Sequence, residues 1–243
     1  MNRGTNHQPR TATCKPQNAT LVLIKFKVRG NLRFLSHAET VRVFQRACSR
    51  AGIKMQYSRG FNPRAKLSLP LPRTVGVESD DDLLCLRIED GALSMTNSTL
   101  SNFKAELSSQ LPRGCEVLEV DVAKNSKAPG PCLATYVFPV CQSRPAALRE
   151  KLAGRIECLL TSKSLFVNRG SYSAKIGSRN RVKNVDVRPF LKSIKLDSKG
   201  VTVECKISGA GSIRVDEILK LLELDVEQLA QPIRRSSVQY RRA

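Results

Sequence analysis

No two of the eight cysteines form a C-x-x-C pair, and Cys48, Cys85 and Cys205 fall on apolar-periodic positions. A disulfide scaffold is therefore not expected; buried free thiols in a reducing cytosol fit better. No apolar run is long enough to cross a bilayer, and residues 1–20 lack the apolar core of a secretory signal. Tryptophan is absent, and no basic helix carries the bulky apolar face that membrane insertion needs, so a cytoplasmic protein without a membrane partner is expected. There is no Gly-rich phosphate loop of the P-loop or dinucleotide type and no G-x-S-x-G elbow. Neither a cofactor nor a self-contained enzyme is indicated. The densest acidic cluster, Asp80-Asp81-Asp82, reads as a solvated turn, so no metal site is expected.

Positive charge, by contrast, is abundant. The formal net charge is +20 over 243 residues, and it is unevenly spread. Residues 1–78 hold 15 Lys/Arg against 2 Asp/Glu, and residues 123–195 hold 15 against 3. Between them, residues 79–122 hold 3 against 9, and residues 196–243 hold 8 against 7. Basic and acidic or neutral blocks thus alternate, as two copies of a two-part unit would. Basic excess of this size points to a polyanion, and nucleic acid is favoured over membrane.

The most informative stretch runs from Gly30 to Glu78. Ser36 with Glu39 three residues on forms a capping box, and Val41, Phe44, Cys48 and Ala51 follow at helical spacing up to Gly52. This predicts a helix over 36–51. Arg42, Arg46 and Arg50 stack along a second face at i, i+4 and i+8, where like charges repel. A missing polyanion explains that stripe. The loop after it carries Tyr57, Arg59, Phe61, Asn62, Arg64 and Lys66 around Gly60 and Pro63. The cations suit phosphates, and Tyr57 or Phe61 suits stacking on an unpaired base. The alternative for both aromatics is a place in the core.

Along the chain, strands are expected at 21–29, 67–71, 83–88 and 115–122, with helices at 36–51 and 97–110. That β-α-β-β-α-β order is the ferredoxin-like plan. After a Pro/Gly linker at 124–131 the pattern restarts, with strands at 135–140 and 164–167, a helix at 145–160, a hairpin at 193–196 and 201–207, and a helix at 215–224. The expected fold is α+β, two ferredoxin-like halves with basic loops, the second less regular. The halves are placed at 21–123 and 132–232, between a disordered tail at 1–20 and a basic tail at 233–243. The second half carries a basic insertion, 168–189, with Arg179, Arg181, Lys183 and Arg188 as further candidate contacts; Asp186 and Arg188 are expected to pin it.

The segments LRFLSHAETVRVFQRACSRAG, YSRGFNPRAKLSLPLP and VGVES, with VKNVDVRP and RVDEILKLL further on, resemble the radical SAM-linked protein family of bacteria. Its members are often fused to, or encoded beside, a radical S-adenosylmethionine protein, which the resemblance implies as a partner. This chain has Ala38-Glu39 where members usually have Leu-Asp, and Arg64 where many have a second histidine. It has no C-x3-C-x2-C cluster, so it would serve a radical SAM enzyme without being one.

Three functions follow as expectations. The first is a non-catalytic module that presents RNA, ribosomal or transfer, to the radical SAM partner. Its contacts would come from Arg33, Ser36 and His37 as well as the arginine stripe and loop. The second is a metal-independent endoribonuclease, in which His37 at the helix N-terminus, within reach of Arg33 and Lys66, transfers a proton. Its warrant is an analogy of architecture with RNA endonucleases built from paired ferredoxin-like domains. The third is a protein-interaction module docking through the acidic block at 79–122.

Overall fold

The alternation of Ile24, Phe26 and Val28 builds the strand it predicts, and the other elements of the first half follow in the expected order. The computed structural model describes residues 19–89, 96–123, 127–140, 146–170, 182–198 and 200–241. In it, β1 is Ala19–Val28, α1 His37–Arg50, β2 Leu67–Ser68, β3 Glu78–Glu89, α2 Asn97–Ser109 and β4 Cys115–Val122. Ser36 caps α1 in the full capping box, and Gly52 just beyond its end takes the left-handed conformation. The apolar face of α1 puts Phe44 edge-on against Phe26 of β1, ring centroids 4.6 Å apart. Phe103 and Leu107 of α2 close the same core. Burial pushes the Cys48 thiol up to about 12, which leaves it an inert packing group.

The second half contains β5 Gly130–Phe138, α3 Ala146–Thr161, β6 Phe166–Gly170, β7 Val182–Asp186, β8 Leu191–Asp197, β9 Gly200–Lys206, α4 Val215–Leu222 and β10 Arg234–Arg241. The fold class is α+β, built on one mostly antiparallel sheet of eight strands. Its order is β4-β1-β3-β10-β5-β9-β8, with β2 on the edge of β3 that also meets β10. Each half therefore has the same strand order: the fourth beside the first, then the third, then the second. In each half the first strand is antiparallel to both its neighbours.

Three expectations are corrected. The strand expected at 164–167 does not join the main sheet; β6 pairs only with β7 in a separate two-stranded ribbon. The basic tail expected at 233–243 is instead β10, a strand in the middle of the sheet, at residues 234–241. The solvated turn expected at Asp80–Asp82 lies inside β3, where the acids meet arginines that converge from distant parts of the chain.

Those arginines explain how the halves join. β3 and β10 share only two register pairs, Arg234 with Glu78 and Arg235 with Ser79, so backbone hydrogen bonding at the seam is short. Asp82, 3% exposed, accepts from Arg73 of the first half at 3.2 Å and from Arg235 of β10. Asp80 bridges Arg29 and Arg234, and Asp81 accepts from the backbone amide of Val238. Burial pushes the Arg73 guanidinium down. At Arg235 burial acts the same way but the charge of Asp82 prevails, so its pKa is raised. Removing the shared carboxylate leaves two buried guanidinium groups side by side. Asp82→Ala should therefore cost about 3–5 kcal/mol in urea denaturation; a loss below about 1 kcal/mol would show that the triad does not hold the seam.

Candidate nucleic-acid interface

The loop after α1 is a hairpin. Isolated bridges join Met55 to Ile88 and Tyr57 to Ala65. The Lys66 amide donates to the Gln56 carbonyl at 2.7 Å, and the Ser58 and Arg64 backbones close the tip at 2.8 Å. Gly60 adopts φ +134° at that tip. Six residues from Arg59 to Arg64 are all exposed, and Phe61 is 106% exposed, the extreme among the large apolar side chains. Tyr57 is 44% exposed. Neither aromatic is a core plug. Arg59, Phe61, Asn62 and Arg64 stand out together, while Lys66 at the base donates to the Gln56 amide oxygen at 3.1 Å.

On α1, Arg42, Arg46 and Arg50 are all exposed, as their spacing predicts. Arg46 and Arg50 border a shallow groove of about 390 Å³ against Ser109–Pro112 at the end of α2. Neither has an ion-pair partner among the described residues; nor do Arg59 and Arg64. The acids behave differently. Glu116 and Glu119 pair with Lys27 and Lys25 across β4 and β1, Glu78 pairs with Arg29, and Asp80 and Asp82 serve the seam. Of the nine acids in 79–122, Asp80, Asp82, Glu116 and Glu119 are thus ion-paired within the fold, whereas α1 and the hairpin carry arginines with no ion pair among the described residues.

The N-terminus of α1 is arranged differently from expectation. The Ser36 hydroxyl donates to Glu39 at 2.7 Å, and its backbone amide donates to the same carboxylate at 2.8 Å. These two hydrogen bonds lower the pKa of Glu39, so a carboxylate occupies this helix end at neutral pH, where a phosphate would otherwise dock. His37 is half-buried with its Nδ1 unpartnered. Arg33 donates to the Gly30 carbonyl and lies 4.2 Å over the Phe34 ring, at the mouth of a cavity of about 430 Å³ between the halves. His37 therefore sits near Arg33, but Lys66 is at the other end of α1. The 14 residues of the helix span about 20 Å, and Lys66 lies beyond its far end, where its carbonyl accepts from the Arg87 amide. The His37–Lys66 proximity expected for a nuclease centre is not present.

In the second half, Lys183 is exposed on β7. Arg179 and Arg181 lie outside the described residues. Arg188 is not a surface contact: its guanidinium donates to the carbonyls of Leu160, Ser162 and Leu191, which ties down the end of α3. Asp186 accepts from the amides of Leu165 and Arg188, so the two residues meet through the Arg188 backbone amide and not through an ion pair. Sequence reasoning missed Arg169 as an anchor. It grips Glu217 of α4 with two hydrogen bonds, 2.7 and 2.8 Å, and adds the Ser212 carbonyl. The capping position of Glu217, three residues after Arg214, was the available signal.

The chain belongs to the family described as "Uncharacterized protein conserved in bacteria (DUF2344)", whose model matches residues 22–220. No curated protein matches the chain.

Burial alone would raise the pKa of Glu217, but the hydrogen bonds from Arg169 and the Arg214 amide outweigh it and hold it below the usual range. A depressed carboxyl adds stability that is fully present above its unfolded value, about 4.3, and is lost as pH falls through the folded value. Glu217→Gln should be less stable than the parent at pH 7, and the gap should shrink towards pH 3. Denaturation curves at the two pH values check this; a gap of constant size would exclude the ion pair as its source.

Proposed function

We propose that this protein is a non-catalytic RNA-binding module that acts in the cytoplasm and presents RNA to a radical SAM partner. Each half is read as a ferredoxin-like unit; the repeated strand order and the helix after each first and third strand support that reading. The observation that carries the RNA reading is the hairpin tip, a fully exposed Phe61 between exposed, unpaired Arg59 and Arg64. An aromatic that gains nothing from folding, flanked by cations, has the composition of a base-stacking site with phosphate contacts. The arginine stripe extends it. Successive arginines on α1 rise by about 6 Å, a step suited to consecutive phosphates of one strand. The radical SAM partner is supported by the resemblance of the stretch from Gly30 to Glu78 and of the later segments.

Ion pairing of Asp80, Asp82, Glu116 and Glu119 within the fold withdraws four of the nine acids of 79–122 from docking of a protein through that block. The separation of His37 from Lys66 weighs against cleavage.

The test is a titration of mixed small RNA with purified protein at several salt concentrations, following retention and strand integrity together. Retention should fall steeply with salt over intact RNA. Arg42, Arg46 and Arg50 replaced together by Ala should reduce the log–log salt slope by about 2, from about 0.7 per phosphate on a single strand. Phe61→Ala should weaken binding by about 1–3 kcal/mol without changing that slope, because stacking releases no counterion. No retention at low salt would overturn the reading, and metal-free cleavage abolished by His37→Ala would replace it with the nuclease.

A further inference from the structure

Both halves carry an insertion at the same point of the repeat, after the first helix and before the second strand. In the first half it is the hairpin at 55–66, between α1 and β2; in the second it is the β6–β7 ribbon, between α3 and β8. Strand directions decide where the two project. β1 is antiparallel to β3, β3 parallel to β10, β10 antiparallel to β5, and β5 antiparallel to β9. β3 and β9 therefore run the same way, and the two halves follow one another along the sheet by translation.

The hairpin is bonded to the late end of β3, through Met55 to Ile88 and the Gln56 amide to the Arg87 carbonyl. The ribbon leads into Leu191, which pairs with Cys205 at the late end of β9. Arg169 fastens it to Glu217 in the first turn of α4, the helix that follows β9. Both insertions thus rise from one end of one sheet. At its late end the edge of β3 that faces β10 carries β2 and the hairpin, so the roots stand more than three inter-strand steps, about 14 Å, apart, and twist of about 20–25° per step splays them into a V.

The ribbon too exposes an aromatic ring and a cation, on its two faces: Phe166 is 62% exposed, and Lys183, which pairs with Arg169 in register on the other face, is exposed with no ion-pair partner among the described residues. We infer that the hairpin and the ribbon are two arms of one surface that grips a single RNA strand across the end of the sheet. This rests on the RNA-binding reading and adds to it a second contact and a strand class. Exposed aromatic rings on both sides need bases that are free to unstack. Two linked contacts then raise affinity through effective concentration, provided that one strand reaches both.

The experiment measures anisotropy of labelled RNA of one base composition at fixed salt, as single strands of about 4 and about 12 nucleotides and as a blunt duplex of the longer one. Four proteins are compared: the parent, Phe61→Ala with Arg64→Ala, Phe166→Ala with Lys183→Ala, and all four changes together. All four side chains are exposed, so circular dichroism should show unchanged folds. The parent should bind the longer strand at least tenfold more tightly than the shorter, and more tightly than the duplex. The ribbon variant should lose most of that length advantage. A ribbon variant that binds the long strand like the parent, while the hairpin variant is crippled, would overturn the two-arm grip and leave the RNA reading standing. Preference for duplex would overturn the single-strand assignment. Absence of binding by the parent to any of the three RNAs would overturn the RNA reading itself.

Discussion

One carboxylate, Asp82, holds two guanidinium groups that the chain delivers from positions 73 and 235. Two buried arginines side by side repel, and neither would be tolerated there without the shared acid. Arg73 also donates to the Val77 carbonyl and Arg235 to the Pro72 carbonyl, so the cluster fixes first-half backbone to β10 as well. The neighbouring acids act in the directions that a strand allows. A bulge between Ser79 and Asp82 turns them apart: Asp80 joins Glu78 on one face and takes Arg29 and Arg234, Asp82 shares the other face with Ser79 and takes Arg73 and Arg235, and Asp81 takes the amide of Val238. Because β3 and β10 share only two register pairs, these charged contacts carry much of the seam. Everything that depends on a continuous sheet depends on them.

The seam also shapes the outer surface. Acids in the middle of the chain are consumed by strands and seam, so the basic excess of +20 is left where no carboxylate answers it. Some basic residues are excluded from that surplus for the same reason. Arg169 and Arg188 sit in the most basic part of the second half, yet both hold the ribbon and the end of α3 in place. A charge count could not tell them from Lys183, which has no ion pair among the described residues. The distinction between an anchoring and a free cation is made by tertiary neighbours.

Local signals were legible, and distant pairings were not. The capping box of Ser36 and Glu39 and the spacing of Phe44 and Cys48 predicted α1 to within a residue at each end. The exposure of Arg42, Arg46 and Arg50 followed from the same periodicity. β10 could not be read, because Arg-Arg-Ser-Ser-Val-Gln-Tyr-Arg is polar and basic, and the acid that makes its burial possible lies 153 residues earlier. The run Ser79–Asp82 failed for the converse reason: three aspartates have poor strand propensity until arginines arrive to pair them. The ribbon was half-read. Residues near 164–167 were recognised as extended, but their partner, β7, lies within the basic insertion and not in the main sheet. At the hairpin the sequence supplied the residues but left open whether Tyr57 and Phe61 face the core or the solvent, and only the fold decides that.

The way in which the halves are joined has a mechanical consequence. A pair of halves related by a two-fold axis would send equivalent insertions to opposite ends of the sheet. The parallel contact of β3 with β10 gives translation, and translation sends them to the same end. The distance between the arms is then set by strands and not by flexible linkers, so little ordering entropy is lost when both engage one ligand. Loosening the seam would cost binding through geometry even if every contact residue stayed intact. For that reason a buried aspartate far from any exposed arginine belongs to the same functional unit as Phe61.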